Sequence, residues 1–486
     1  MPFGLAQNGL VFGFVLIVWS SLTSAFGLYL QNKVAKYTDQ RGTVSYFSLA
    51  QLTYPKLSIL FDSAISIKCF GVGVSYLVVI GDLMPKIMET LGQGQNTLLM
   101  HRNFWITIFM AVVVTPLSYL KKMDSLKYTS FIALFSVAYL ICLVVEKYFA
   151  LVLMGNASTS TTTTTTTTTT DLMVRAASAI PQDITWFGPR SLQKTLSSFP
   201  MFVFAYTCHQ NMFAILNELQ PHPTSGSQTR QSNLIIRNAI ATALASYLVV
   251  GIFGYLTFGS TVNANIISMY PSSSISSLVG RLCIVVMVSL SFPLQCHPCR
   301  GSVNHVIHFI QHGVDSLKMK KSKRNNTTAG YTSLSSDIES VASSRADTEA
   351  TEATEADESF ISTTPMEGAH DTQGHDPIVV PLTTRKFYAI TTAIVVLSYA
   401  VAISVTNLAK VLAFVGSTGS VSISFLLPGL FGYLLIKPSD GEHESPQVEL
   451  TPLEKFCKYG GLALAIWGGA VMVICLSATL LLGATH

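Results

Sequence analysis

The sequence predicts an all-α polytopic membrane protein with ten complete spans, preceded by a truncated first helix. Three observations carry that. Of 486 residues, 49% are hydrophobic and only 12% charged, against about 25% charged in an average soluble domain. Runs of about 20 apolar residues recur along the chain, the length a helix needs to cross hydrocarbon. One of these runs, Phe199–Glu218, carries Thr207-Cys208-His209-Gln210-Asn211 in its middle, flanked by apolar Phe202–Ala205 and Met212–Leu216. Polar residues at membrane depth line a site or a water-filled cavity, and a span interrupted there frees backbone groups for a ligand. A helix whose polar residues merely bond neighbouring helices is the plainer alternative.

In chain order, Met1–Ala6 reads as the end of an apolar helix, Gln7-Asn8-Gly9 as a tight turn and Leu10–Leu30 as a full span. The next span, about Leu57–Ile80, holds Lys68 near its centre and ends at Gly81-Asp82-Leu83-Met84-Pro85. Further spans are Phe104–Leu120, Tyr128–Leu153, the interrupted Leu196–Leu219, Asn238–Phe258 and Leu278–Gln295. Phe387–Asn407, Val411–Ile436 and Gly460–Gly483 complete the set. Membrane helices thus occupy 1–300 and 385–486, with a long loop at 301–384.

Basic residues are unevenly shared between alternate loops, which orients the chain. Lys33, Lys36, Arg41 and Lys56, then Lys121, Lys122 and Lys127, then Arg230 and Arg237 fall on one side. Arg300, Lys318–Arg324, Lys437, Lys455 and Lys458 join them, and this richer side is cytosolic. Asn156-Ala157-Ser158 is a glycosylation sequon on the opposite side, beside a threonine tract ending at Thr170. The net charge of +4 says little about nucleic acid, and no nucleic-acid partner is expected. Loop 301–384 is cytosolic and rich in Ser, Thr and Glu, and Ser322–Thr372 is expected to be disordered. Val303, Val306, Ile307, Ile310, Val314 and Leu317 make an apolar stripe at helical spacing ahead of a lysine cluster. This is either an amphipathic helix on anionic lipid or an extension of the preceding span packed on protein. His305, His308 and His312 fall on its polar face.

No H-E-x-x-H, G-x-S-x-G or Walker loop occurs, so an enzyme is not expected. The eight cysteines show no metal-ligand spacing, and neither a metal nor an organic cofactor is expected. Gly71-Val72-Gly73 lies inside a span, where small residues let helices approach closely. Gly416-Ser417-Thr418-Gly419 is a small polar cluster within a span, read as close helix contact or as a moving gate. Ser289 and Ser291, followed by Pro293, put hydroxyls and a kink within another span; they suit a cation or a water, or simply bond the helix backbone. Lys68 lies too deep to snorkel easily, and a structural carboxylate or carbonyl partner is expected for it more than a substrate contact.

Four motifs carry a resemblance, in order along the chain. IKCFGVGVSYLVVIGDLMP (Ile67–Pro85), FPMFVFAYTCHQNMFAILNEL (Phe199–Leu219), SFPLQCHPCR (Ser291–Arg300) and GSTGSVSISFLLPGLFGYL (Gly416–Leu434) resemble the amino acid/auxin permease family. The likeness is to its fungal vacuolar amino acid transporters, akin to the animal sodium-coupled neutral amino acid transporters. It implies an eleven-helix, LeuT-like inverted-repeat bundle with helices 1 and 6 broken at a central amino acid site, working by alternating access. On it the unwound part of helix 6 is Ala205, Tyr206, Thr207, Cys208 and His209, the expected substrate-binding residues. His209 is the expected proton-sensitive group, and Ser291 matches a hydroxyl that helps hold an ion in sodium-coupled relatives. Gly416, Ser417 and Thr418 fall in the mobile region of helix 10, as a gate.

The resemblance further implies an amino acid substrate, a lipid environment and a vacuolar membrane location, with the plasma membrane as alternative. The coupling ion is expected to be a proton, with sodium the alternative, and Asn156 is expected to be glycosylated. An amino acid sensor that keeps the fold and signals through loop 301–384 is the second functional reading. Met1-Pro2-Phe3-Gly4 resembles the last residues of helix 1, just after the family's small-residue break. The expectation at this point is therefore an incomplete, inactive chain whose missing front would restore half the site.

Overall fold

The computed structural model describes residues 1–37, 44–54, 57–120, 126–157, 183–219, 228–330, 382–405, 407–437 and 450–482. Among these, all regular structure is helical and no strand occurs. Two compact units are present, one of Met1–Val306 with Gln373–His486 and one of Ile307–Thr372.

The first unit begins with α1 (Pro2–Asn8) and α2 (Leu10–Val34), joined by Gly9 alone. Gly9 has φ 78°, a conformation that costs glycine little and an L-residue more. A Cβ there would also sit 2.5 Å from the Gly188 carbonyl oxygen. The 185–190 segment laces over this turn: Leu10 N–H donates to Thr185 O, Val11 N–H to Trp186 O, and Arg190 N–H to Gln7 O. The short α3 (Tyr46–Thr53) starts at Ser45, whose hydroxyl accepts from Ser48 N–H in a capping box.

After it comes α4 (Ser58–Thr90), which runs on past the expected end at Pro85. Proline removes one backbone donor but need not stop a helix whose neighbours hold it. Here Asp82 pairs with Arg102 at 3.3 Å, and Arg102 also donates to the carbonyls of Ala402 and Val405. Next is α5 (Arg102–Ser118), a 17-residue helix with a π segment at Met110–Val114. It is followed by α6 (Leu126–Ala157), α7 (Leu192–Ala205), α8 (Met212–Glu218) and α9 (Gln228–Phe258).

The remaining helices are α10 (Ile275–Gly330), α11 (Thr384–Ser404), α12 (Leu408–Leu435) and α13 (Pro452–Leu482). Asn407, assigned by sequence to the end of the span before, is instead the N-cap of α12, its side chain accepting from Lys410 N–H. Asparagine is better placed starting a helix than ending one in hydrocarbon. Within α12 the backbone loosens into π turns at Gly416–Ser420 and Ser422–Leu426.

Among the described residues, eight helices are long and apolar enough to cross a membrane. The two other expected spans are the 17-residue α5 and the α7–α8 pair, which is interrupted. The distribution of polarity is that of a membrane protein. On α2, Ser20, Ser21, Ser24, Gln31 and Asn32 are buried, while Phe14, Trp19 and Leu22 are exposed. An outward apolar face suits lipid, and inward small hydroxyls let helices pack closely.

The helix α10 continues without interruption past Pro293 and Pro298. In the first unit its residues Ser302, Asn304 and His305 are buried, and His305 Nδ1 lies 3.3 Å from an Asp62 oxygen. The extension reading therefore holds up to this point, and His305 is not on a solvent-facing polar side. The described part of the second unit is the helical stretch 307–330, where Ile310 is exposed and Ile307 half-buried. Helix continues to Gly330, into the stretch expected to be disordered from Ser322; its lysines are good helix formers. The rest of that stretch, the threonine tract and the side chains of Val314, Leu317 and His312 lie outside the described residues. So does the Asn156 side chain, although its backbone belongs to the last turn of α6.

Candidate functional site

The interruption foreseen in Phe199–Glu218 is present. After α7 the chain turns at Tyr206, leaves regular helix at Thr207-Cys208, makes a 3₁₀ turn at His209–Asn211 and resumes as α8. Tyr206, Thr207 and Cys208 N–H groups donate to Val203, Phe204 and Tyr206 carbonyls, and the Thr207 hydroxyl donates to Val203 O at 2.8 Å. Carbonyls that a regular helix would have used are taken by phenols. The Tyr247 hydroxyl donates to Ala205 O at 2.7 Å and the Tyr46 hydroxyl to His209 O at 2.9 Å. This is how broken backbone persists at membrane depth: protein groups replace the missing ladder.

Beside the break lies a cavity of about 460 Å³. Its walls come from α1 (Phe3, Gly4), α4 (Lys68, Val72, Tyr76), α7 and the break (Phe204, Ala205, Thr207, Cys208, Gln210, Asn211), α9 (Tyr247), α10 (Gln295) and α12 (Leu412). The α1 wall is fixed by Asn8, whose Nδ2 donates to Gly4 O and to the Ser198 hydroxyl, each at 2.8 Å. Gly4 lies against the Phe202 ring, leaving no space for a side chain.

Of the residues singled out by sequence, Ala205, Thr207 and Cys208 line this cavity. Tyr206 is buried beside it, its ring edge-on to Tyr247 at 5.1 Å. His209 faces the other way. It is fully buried, and its Nε2–H donates to Ser24 O of α2 at 3.1 Å. A Cβ on Gly27 would come within 2.9 Å of that nitrogen, and His209 Nδ1 has no partner among the described residues. Ser291 is outside the cavity lining, its hydroxyl donating to Met287 O at 2.7 Å. The Gly416–Thr418 cluster packs on the outside of α7: a Cβ on Gly416 would lie 2.3 Å from Pro200 O. The Ser417 and Thr418 hydroxyls donate to Phe414 O.

Of two further lining residues, Gln210 was read only as part of the polar interruption and Gln295 went unremarked in the sequence. Both present a buried Oε1 with no partner among the described residues. The available signal was the same as for His209, an amide inside an apolar run. Among the described residues no group of three His, Cys, Asp or Glu is placed to hold a metal ion.

A family model described as transmembrane amino acid transporter protein matches residues 1–474. The chain belongs to that family. Among its relatives, vacuolar amino acid transporter 6 of Saccharomyces cerevisiae is 40% identical over 482 residues, covering 99% of this chain and 94% of that protein. Vacuolar amino acid transporter 5 of Schizosaccharomyces pombe is 32% identical over 477 residues, 98% of this chain and 89% of that one. The human sodium-coupled neutral amino acid transporter 7 is more distant, 24% identical over 249 residues, about half of each chain.

Proposed function

We propose that this protein is a secondary transporter that moves amino acids across the vacuolar membrane by alternating access. The observation that carries this is the cavity against the α7–α8 interruption, which brings together polar side chains from α4, the break itself, α9 and α10 in an otherwise apolar bundle. Relatives matched along nearly their whole length are named vacuolar amino acid transporters, which supports both the substrate class and the membrane. On this reading the bundle is a LeuT-like inverted repeat. The α1 segment is part of its helix 1, α7 with α8 its broken helix 6, and α12 its helix 10. Ala205, Thr207 and Cys208 form the substrate wall, with Tyr206 and Tyr247 shaping it. Gly416–Thr418 is the gate, and the 301–384 segment faces the cytosol. Transport is proton-linked through His209, the buried titratable group of the break, with Ser291 the hydroxyl for the sodium alternative.

The test is amino acid efflux from isolated vacuoles, with and without the gene, at two lumenal pH values. Efflux that requires the gene and changes with lumenal pH is expected. Vacuoles that contain the protein yet release no amino acid faster than those without it would overturn the proposal, and substrate binding without flux would turn it into a sensor.

A further inference from the structure

Lys68 sits well inside α4, where a structural carboxylate or carbonyl was expected beside it. The structure supplies neither. Its side chain is 97% buried, since only 3% is exposed, yet among the described residues it has no hydrogen-bond partner and no carboxylate within ion-pair distance. Of the three acidic residues of its own helix, Asp62 is engaged with His305 and Asp82 with Arg102, and Glu89 lies in the last turn, 21 residues on. The other fully buried cations of this unit are answered: Arg281 donates to Tyr270 O, and Arg300 to Ser118 O and the Thr391 hydroxyl. An unpaired ammonium among apolar helices is costly, and in a membrane it marks a ligand path.

Lys68 also lines the cavity, and it is the one charged side chain that does so. The other polar lining groups are neutral: Thr207, Cys208, Gln210, Asn211, Gln295, Tyr76 and Tyr247. Its base is held from behind, because Gly419 of the α12 π segment presses directly on it; a Cβ on Gly419 would meet Lys68 Cβ at 2.5 Å. Among the side chains that line it, the cavity thus presents one positive charge, no negative charge and a set of neutral hydrogen-bonding groups, with Met1 also in its wall. That is complementary to a carboxylate.

We propose that Lys68 is the counter-charge for a carboxylate of the transported amino acid, bound in this cavity. The inference rests on the transport reading above. A lysine ammonium is a compact point charge with three donors, so an α-carboxylate and a side-chain carboxylate would suit it equally, and substrates that differ in these groups separate the two.

The experiment uses the full chain, purified and reconstituted, as wild type, Lys68→Met and Lys68→Arg, with L-glutamate, L-glutamine and 4-aminobutyrate as probes. Uptake KM and ligand-induced shifts in Tm are read for each. If Lys68 meets the α-carboxylate, Lys68→Met raises KM at least about tenfold for both glutamate and glutamine, and 4-aminobutyrate stabilises no variant. If it meets a side-chain carboxylate, only glutamate is affected, and 4-aminobutyrate stabilises the wild type but not Lys68→Met. In either case Lys68→Met without ligand melts higher than wild type, because an unpaired buried charge has gone, and Lys68→Arg keeps part of the binding. Unchanged KM for both substrates in Lys68→Met, or a lower Tm that Lys68→Arg restores together with uptake, would reduce Lys68 to a structural residue. A wild type that is stabilised by carboxylates but moves none would count against transport and leave Lys68 in place; no stabilisation and no uptake by any probe removes the assignment.

Discussion

His209 looks in the sequence like a group that should touch substrate, and in the structure it touches α2 instead. Its Nε2–H holds the Ser24 carbonyl while Tyr46 holds its own carbonyl, so the imidazole ties the break to the neighbouring helix. A proton gained at the unpartnered Nδ1 would place a charge in that contact and be felt by the adjacent cavity wall. His209→Gln keeps an N–H able to reach Ser24 O but cannot titrate. The expected outcome is a correctly targeted protein whose efflux persists but no longer depends on lumenal pH. A pH profile identical to wild type would remove the imidazole from proton coupling and leave it as a brace.

At the scale of the element, the two interrupted regions support each other. The π segment Gly416–Ser420 of α12 presses Gly416 onto Pro200 of α7 and Gly419 onto Lys68 of α4. Single-turn π segments gather at functional places in helices, and the absent side chains here are what let three backbones meet. Gly416→Ala would put a methyl 2.3 Å from Pro200 O, which backbone cannot cheaply avoid. Overpacking of this kind costs about 1–3 kcal/mol. The variant is expected to melt several degrees lower in detergent and to transport more slowly, while Gly469→Ala, where a Cβ meets nothing within 4 Å, should do neither. Equal melting of wild type and Gly416→Ala would mean that the contact is soft.

For the whole molecule, the loop charges predict which ends of the helices face which compartment. Asn156 at the end of α6 lies on the poorly charged side, and Asn325 and Asn326 on the lysine-rich side. Enzymatic deglycosylation followed by gel mobility is expected to report glycan on Asn156, removed by Asn156→Gln, and none on Asn325 or Asn326. Glycan on Asn326 with Asn156 bare would invert the orientation and exchange the two sides of every gate. The relatives' near-complete coverage supports treating the helices as one transport unit.

Helix type and depth were determined by sequence alone, because hydrocarbon tolerates few backbone arrangements and a run of apolar residues long enough to cross it has one usual outcome. The position of the break was legible for the same reason: Thr207 to Asn211 cannot all face lipid. The exceptions were local. Helix α4 passes Pro85, with Asp82 just before it paired to Arg102, and α10 continues beyond its expected end, with His305 beside Asp62; neither partner is visible from the residue itself. Which way each polar side chain turns was decided only by the tertiary structure. His209 and Cys208 are neighbours in sequence, yet one packs on Ser24 and the other lines the cavity. Lys68 carried the strongest signal, but a one-dimensional reading can show only that a buried charge needs a partner, not that its side chain lines a cavity. The direction of a side chain depends on contacts made by residues hundreds of positions apart, and periodicity along a single helix contains no record of them.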